Sequence, residues 1–341
     1  MAQDIGIDLG TANVLVSVTG KGVVLNEPSV VAIDTKTNKV LAVGKEAYEM
    51  VGRTPGNIKA IRPLKDGVIS DFDVTEAMLN YFIKKLSVKG MVSKPKVMIC
   101  APTNITNIER KAIIEAAQKS VGGEVFLEEE PKVAAIGAGM DIFEPTGSMV
   151  IDIGGGTSDI AVVSLGDIVA SKSLKLAGDV MNQDIVDYMK RTHNIVIGEH
   201  TAEKIKKTIG TAKADPNDIK EIEVRGRDAV SGMPISVNIN STEIADAIHT
   251  SVQMIINAAK SVLETIPPEL AADIIDRGVM LTGGGSMLNN IDVVISDALT
   301  VPVMVSEDPL ENVAKGASSL LEHIDTEKKP KKSFSLFGRN N

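Results

Sequence analysis

Residues 5–13 read Ile-Gly-Ile-Asp-Leu-Gly-Thr-Ala-Asn, and residues 150–158 read Val-Ile-Asp-Ile-Gly-Gly-Gly-Thr-Ser. Both stretches contain an apolar strand that ends near an aspartate, then a tight turn of small residues, then a second apolar run. A pattern that returns once in a chain of this length indicates an internal duplication. The sequence therefore predicts two halves of similar build, with equivalent strand-to-turn junctions after Asp8 and Asp152.

The composition favours an α/β fold whose strands are covered by helices on both faces. The chain has 341 residues, which suggests about two or three compact units. Apolar residues make up 43% and aromatic residues only 3%, so Ile, Val, Leu, Met and Ala must build the cores. The formal net charge of −9 disfavours nucleic acid as a partner, because phosphate affinity comes mostly from Lys and Arg.

Outside the repeats, periodicity and turn signals predict ordinary helices and strands. Residues 23–65 resemble short strands and turns, and residues 97–101 a buried strand that holds the single cysteine, Cys100. Two capping-box patterns open predicted helices, Thr106 with Glu109 and Asn240 with Glu243. Helices are expected near residues 78–86, 106–119, 180–191, 201–209 and 242–264.

Three strand-to-loop junctions share one chemistry, at residues 8–13, 152–157 and 282–286. Glycine lets backbone N–H groups approach an anion closely, and Thr or Ser adds hydroxyl donors. Any one of these junctions alone could be a tight hairpin without a ligand. Three in one chain, two of them duplicates that carry an aspartate, favour a phosphate-binding function.

The two repeated aspartates are candidate magnesium ligands. Hydrated Mg²⁺ prefers one or two carboxylates together with water and substrate phosphates. Asp8 and Asp152, at equivalent strand ends, could face each other across a cleft that holds a triphosphate. The alternative is that each carboxylate only caps its own turn.

Several other site classes are absent from the sequence. It has no Gly-x-x-x-x-Gly-Lys-Ser/Thr loop, no strand that opens into Gly-x-Gly-x-x-Gly, and no Gly-x-Ser-x-Gly. Its four histidines form no pair at metal-ligand spacing. No apolar run approaches the ~20 residues of a spanning helix, and the first residues lack the features of a signal peptide. We therefore expect a cytoplasmic protein.

Longer motifs carry a resemblance to a known family. The repeated loops, the Leu-Thr-Gly-Gly-Gly-Ser stretch at 281–286 and the Glu-Pro pair at 130–131 resemble the actin, Hsp70 and sugar-kinase superfamily. Gly-Arg-Thr-Pro-Gly-Asn at 52–57, Arg-Pro-Leu-Lys-Asp-Gly-Val at 62–68 and residues 197–206 resemble the MreB/Mbl family of bacterial actins. The similarity runs from about residue 3 to residue 324.

The resemblance implies a duplicated actin-like (ribonuclease H-like) α/β fold with two lobes, each with a smaller insert. The first lobe would span residues 1–145 with an insert at about 33–65. The second would span 146–324 with an insert at about 182–240, and residues 310–324 would pack back toward the first lobe. Residues 325–341 are expected to form a disordered basic tail.

The resemblance also implies ATP and Mg²⁺ as ligands. Asp8 and Asp152 would hold the metal through water, and Glu203 and Lys206 match the family's adenosine contacts. The expected nucleotide-lining residues of the three loops are Thr11, Ala12, Asn13, Gly154, Gly155, Gly156, Thr157, Gly283, Gly284, Gly285 and Ser286.

Glu130 matches the family's glutamate that positions and polarises the attacking water, and Thr157 would help to orient that water. An acidic run such as Glu128–Glu130 is usually a solvated strand end. Here the following Pro131 and predicted helix favour a catalytic role for Glu130. Hydrolysis would be slow and would time the state of a filament.

The family's partners are copies of itself and the cell membrane. The resemblance implies head-to-tail filaments, paired protofilaments, attachment to the inner face of the plasma membrane, and membrane-protein partners of the shape or wall machinery. Met91 and Val92 match a membrane-binding loop, although they could instead pack on their own domain. The Lys-rich tail is a second candidate for anionic lipid, or only a solubilising segment.

Two other functional classes compete with a filament-forming ATPase. A small-molecule kinase of the same superfamily would need a substrate pocket with an acidic base, and residues 33–65 show no obvious one. An Hsp70-like chaperone would need a peptide-binding domain after the ATPase core. Too few residues follow residue 324 for such a domain, so we expect none here.

Overall fold

The computed structural model describes residues 4–86, 95–103, 105–121 and 123–327. The elements of the first half are β1 (Ile5–Leu9), β2 (Asn13–Val18), β3 (Gly22–Pro28), β4 (Val31–Asp34), β5 (Val40–Val43), α1 (Lys45–Glu49), β6 (Ile58–Ile61), β7 (Leu64–Lys65), β8 (Val68–Ile69), α2 (Phe72–Lys85), β9 (Val97–Ala101), α3 (Asn107–Val121), β10 (Val125–Glu129) and α4 (Glu130–Gly137).

The elements of the second half are β11 (Ser148–Ile153), β12 (Ser158–Ser164), β13 (Asp167–Leu174), α5 (Gly178–His193), β14 (Ile195–Val196), α6 (Glu199–Ile209), β15 (Glu221–Asp228), β16 (Pro234–Asn240), α7 (Ser241–Leu263), α8 (Pro268–Arg277), β17 (Val279–Thr282), a 3₁₀ turn (Gly284–Met287), α9 (Ile291–Leu299), β18 (Val303–Val305) and α10 (Asn312–Glu327).

Two five-stranded sheets of identical topology form the centres of the two lobes. Their strand orders are β10-β9-β1-β2-β3 and β18-β17-β11-β12-β13. In each, the strand that ends near the repeated aspartate lies in the middle, antiparallel to the next strand and parallel to a later one. The duplication predicted from the sequence is therefore present in the fold, and the two-lobed α/β architecture is confirmed.

The central strands are buried on both faces. Every residue of β11 and of β12 is buried, and in β1 both Ile5 and Ile7 are fully inaccessible. Such unbroken burial explains why these segments are apolar runs rather than alternating ones. Cys100, in the fully buried strand β9, is one of these core residues, as predicted.

Each lobe carries a smaller sheet on one side. In the first, the order is β5-β4-β6 with α1 beside it, and in the second the order is β14-β15-β16 with α6 beside it. The predicted start of the second insert, residue 182, lies inside α5. This helix cannot be divided there, because Met181, Ile185 and Met189 belong to the same buried cluster as β11.

Local signals located several helix starts correctly. Asn240 caps α7, with its side chain accepting from the amide of Glu243 and the Glu243 carboxylate accepting from the amide of Asn240. Thr106 and Glu109 make the same reciprocal pair of bonds before α3. Both capping boxes predicted from the sequence are therefore confirmed.

The last helix, α10, packs on the first lobe. It lies against α4 and β1, and Ser17 of β2 donates a hydrogen bond of 2.5 Å to the carbonyl of Ala314. It runs to Glu327, so the expectation of a disordered tail from residue 325 is wrong for its first three residues. Residues 325–327 are Asp, Thr and Glu, and they include no Gly or Pro that would end the helix. The rest of the tail lies outside the described residues.

No helix in the described part of the chain combines the length and apolar character needed to cross a membrane.

The α4–α10 crossing depends on two glycines. A Cβ added to Gly316 would lie 2.0 Å from the carbonyl oxygen of Val133, and one added to Gly137 would lie 1.8 Å from that of Asn312. We predict that Gly316→Ala lowers the free energy of unfolding by about 1–3 kcal/mol, because the helices must move apart. Chemical denaturation measures this change in the free energy of unfolding. Gly56→Ala, which meets nothing within 4 Å, is the control. Equal stabilities of the two variants would contradict this packing.

Candidate nucleotide cleft

The two repeated loops face and touch each other between the lobes. A Cβ built on Gly155 would lie 2.5 Å from the Cβ of Ala12, and one built on Gly156 would lie 2.5 Å from Oγ1 of Thr11. Only glycine allows the second loop to approach the first this closely. The two duplicated loops thus meet at one point, which is the floor of the interlobe cleft.

The third glycine loop closes on the same place. Gly283 has a positive φ of 78°, and a Cβ there would lie 2.4 Å from the carbonyl oxygen of Ile153, at the end of β11. A Cβ on Gly285 would lie 2.3 Å from the Ile153 side chain. The hydroxyl of Ser286 donates to the carbonyl of Gly283, 2.7 Å away, and thereby shapes the loop itself.

Asp8 and Asp152 lie close enough to repel each other. Burial, and then the charge of Asp152, raise the pKa of Asp8 to about 8. Burial also raises the pKa of Asp152 to about 6, although a hydrogen bond of 2.6 Å from the Thr282 hydroxyl lowers this pKa in part. Burial is the largest cause of both shifts, and a neighbouring carboxyl charge adds to it, that of Asp152 at Asp8 and that of Asp159 at Asp152.

Glu130 adds a third carboxyl group to this cluster. It is the first residue of α4 and only 7% exposed. Burial, followed by the charges of Asp159, Asp8 and Asp152, raises its pKa well above the usual range. Asp159 itself is fully buried, and burial raises its pKa as well. The centre of the cleft is therefore acidic and largely desolvated.

The turn between β7 and β8 reaches both phosphate loops. The amide of Gly67 donates to Oγ1 of Thr11 over 3.1 Å, and a Cβ on Gly67 would lie 3.0 Å from Cγ2 of Thr157. Thr11 and Thr157 are each 7% exposed. This turn thus fixes the two threonines next to each other. Asn13, by contrast, donates its side-chain amide to Asn26 on β3, 2.7 Å away.

Helix α6 brings Glu203 and Lys206 to the second loop. The ammonium of Lys206 donates to the carbonyl of Gly178 over 2.6 Å, and the amide of Gly178 donates to the carbonyl of Gly154. Burial lowers the pKa of Lys206 to about 8, although Asp179 and Glu203 oppose that shift.

Glu203 stays ionised on the same helix. Burial alone would raise its pKa, but hydrogen bonds from Lys207 and Tyr48 outweigh burial and lower it. The Lys207 ammonium lies 2.6 Å from Oε1 of Glu203.

Comparisons with known proteins agree with this geometry. A family model described as MreB/Mbl protein matches residues 2–329. The chain is 61% identical to the cell shape-determining protein Mbl of Bacillus subtilis (strain 168), over 98% of this chain and 99% of that protein. It is 50% identical to the cell shape-determining protein MreB of Escherichia coli (strain K12), over 95% and 94% of the two chains. The chain belongs to the MreB/Mbl family.

Solved structures of MreB proteins share its fold. MreB5 of Spiroplasma citri bound to AMPPNP superposes with a TM-score of 0.91 at 39% identity, covering 96% of this chain and 98% of that one. The same protein bound to ADP gives a TM-score of 0.92 at 40% identity, covering 97% and 99%. The expected family and the actin-like form of the fold are both confirmed.

For this MreB/Mbl chain, the structure brings together the residues expected from the three loops, the two aspartates and Glu130. Their roles as ligands stay predictions. Met91 and Val92, and the basic residues of the tail, lie outside the described residues. Within those described, no group of three or more His, Cys, Asp or Glu side chains is arranged to hold a metal directly.

Asp159, Gly67 and Tyr48 lie at the cleft but were not among the site residues predicted from the sequence. Asp159 pairs with Asp152 across β11 and β12, whereas Asp8 pairs with Leu15 in the equivalent register. An aspartate in a buried strand at the position where the duplicate has leucine is the signal that could have identified it. The sequence contains no comparable signal for Tyr48.

The raised pKa of Asp8 predicts how the stability of the folded protein depends on pH. An acid whose pKa rises from its usual 3.8 to about 8 on folding holds its proton more tightly in the folded state. The folded protein therefore loses stability as the pH rises between these values. We predict that Asp8→Asn stabilises the metal-free, nucleotide-free protein by roughly 1–3 kcal/mol at pH 8 and flattens the decline between pH 5 and 8.

Thermal unfolding at several pH values measures this effect. Asp276→Asn, at an exposed carboxylate of α8, is the control and should keep the wild-type pH dependence. Identical pH profiles for wild type and Asp8→Asn would show that the Asp8 carboxylate carries no repulsion.

Proposed function

We propose that this chain is a bacterial actin-like cytoskeletal protein that binds Mg-ATP between its lobes, polymerises, and determines or maintains cell shape. The observation that carries the proposal is the convergence of three glycine loops, two of them duplicates, on the paired carboxylates of Asp8 and Asp152. Membership of a family whose relatives are cell shape-determining proteins supports the cellular role.

The loops would hold the nucleotide. Backbone amides and hydroxyls of Thr11–Asn13 and Gly154–Thr157 would bind the phosphates, since glycine-rich turns present N–H groups to anions. Gly283–Ser286 would pack on the adenosine, and Glu203 and Lys206 would bind its polar edge. The S. citri MreB5 structures, with AMPPNP and with ADP, support nucleotide as the ligand.

Magnesium fits the acidic centre. Asp8 and Asp152 would hold it through water, in line with its preference for one or two carboxylates beside water and phosphate. Burial, and then a neighbouring carboxyl charge, raise the pKa of both aspartates, and a divalent cation would stabilise their ionised forms. When bound, the ion would neutralise charge on the phosphates.

Glu130 and Thr157 would handle the attacking water. Glu130 would act as a base toward that water only as a carboxylate, and burial together with the charges of Asp159, Asp8 and Asp152 raises its pKa. Positive charge entering the cluster with the nucleotide would favour the ionised form. A loaded cleft would therefore favour the base form of Glu130, which suits slow hydrolysis that reports on filament state.

The remaining assignments follow the family. We propose self-assembly into filaments with paired protofilaments, in the cytoplasm at the inner face of the plasma membrane, with membrane proteins of the shape or wall machinery as partners. Near full-length similarity to cell-shape proteins gives no support to the small-molecule kinase alternative.

Electron microscopy and sedimentation with Mg-ATP and anionic vesicles test the proposal. Wild-type protein should form sedimenting filaments and release phosphate slowly. We predict that Glu130→Gln still forms filaments but releases phosphate at least about tenfold more slowly, since a positioned base contributes about 10²–10⁴ in rate.

The matched control is Glu128→Gln, two residues earlier, where the carboxylate pairs with Lys132 at 3.1 Å on the outside of the cluster. It should keep the wild-type rate. Phosphate release by Glu130→Gln at the wild-type rate would remove Glu130 from the mechanism. Absence of filaments in the wild type would contradict the cytoskeletal function itself.

A further inference from the structure

Residues beside the two small inserted sheets contact each other across the cleft, although they lie far apart along the chain. The first-lobe side consists of Tyr48 on α1 and Arg62, directly after β6. The second-lobe side consists of Glu199, His200 and Glu203, all in the first turns of α6. Helix α6 also carries Lys206, so the same helix contacts the other lobe and reaches toward the second phosphate loop.

Four contacts join the two sides, and a fifth, between Arg62 and Tyr48, lies within the first-lobe side. The Tyr48 hydroxyl donates to the Glu203 carboxylate, and the His200 Nε2–H donates to the Tyr48 carbonyl over 3.0 Å. The rings of Tyr48 and His200 pack edge to face, with centroids 4.2 Å apart. Arg62 forms an ion pair of 2.5 Å with Glu199, and its guanidinium lies 5.9 Å from the Tyr48 ring centroid.

Glu203 links these contacts to the nucleotide. One of its oxygens accepts from Tyr48 and the other faces the Lys207 ammonium. The same carboxylate is the proposed adenosine contact. Its position is therefore set in part by a residue of the opposite lobe, and separating the lobes would withdraw that support.

We propose that Tyr48, Arg62, Glu199, His200 and Glu203 form an interlobe clamp that holds Glu203 in place and limits the rate of nucleotide release. This inference rests on the proposed nucleotide site. Release requires the lobes to separate at the mouth, which breaks the clamp but leaves the loop contacts at the floor of the cleft intact.

The contacts of the clamp are partly exposed to solvent, so they can be broken and re-formed. Arg62 is 22% exposed and Glu199 40% exposed at their side chains, so solvent and salt weaken this ion pair. Tyr48 is half-buried, and its bond to a carboxylate is of the stronger, charge-assisted type. We therefore expect Tyr48 to contribute more to retention than Arg62 does, and salt to accelerate release.

Dissociation of a fluorescent ADP analogue, chased with excess ADP in a stopped-flow instrument, tests the clamp. Tyr48→Phe, which removes only the hydroxyl, should release the analogue about tenfold faster, the change that ~1.4 kcal/mol produces. Arg62→Ala should give a smaller acceleration, about threefold, that disappears at high salt. The filament content is kept low by working below the sedimenting concentration.

A charge exchange separates a clamp from a general structural effect. Arg62→Glu alone should accelerate release, and adding Glu199→Arg should restore slow release because the ion pair is re-formed in reverse. Lys59→Ala, at an exposed position of β6 in the same small sheet, is the control and should release at the wild-type rate. Wild-type release by Tyr48→Phe, or no rescue by the exchange, would overturn the proposal.

A nucleotide-free measurement keeps the clamp separable from the proposed function. Spin labels at Lys36→Cys and Asn217→Cys, exposed positions on the two lobes, report the opening by pulsed dipolar spectroscopy. The native Cys100 is buried, so the label should not react with it. Tyr48→Phe with Arg62→Ala should lengthen and broaden the distances. Unchanged distances would overturn the clamp, whereas failure of the wild type to bind nucleotide would overturn only the proposed function.

Discussion

Asp8 and Asp152 are held within electrostatic reach of each other in a buried site, although like charges repel strongly where water is excluded. Neither can turn away within its own lobe, because each lies near the end of the middle strand of a five-stranded sheet. A proton or a cation must therefore relieve the repulsion. The pair lies beneath three glycine loops, and this is the position where we propose that the metal and the phosphates bind.

A ligand bound at this position would affect how the two lobes are arranged, because the loops that line it come from both lobes. Gly155 and Gly156 touch Ala12 and Thr11 directly, so anything bound between the loops changes how closely the lobes approach at the floor. At the mouth, the contact between Tyr48 and Glu203 resists separation. If nucleotide binds as proposed, its state and the closure of the lobes are coupled, and a filament subunit needs that coupling if hydrolysis is to alter its contacts.

The sequence predicted the features that are local or repeated. Duplication gave the topology, two capping boxes gave helix starts, and Asp8 with Asp152 marked the acidic centre. It could not reveal Tyr48, because the importance of this residue arises from partners in the other lobe. Asp159 did leave a signal, an aspartate in an apolar strand where the duplicate has leucine, but recognising it requires the strand register. The same limit explains the error at the end of α10, where composition suggested disorder but no residue stops the helix before Glu327.

Calorimetric titration of ATP into the purified protein, with and without magnesium, tests the central claim most directly. The account predicts one site per chain whose affinity depends on magnesium in the wild type. That dependence should be lost when Asp8 and Asp152 are both replaced by asparagine in a folded protein. Nucleotide affinity that is indifferent to magnesium, or to these two replacements, would contradict it.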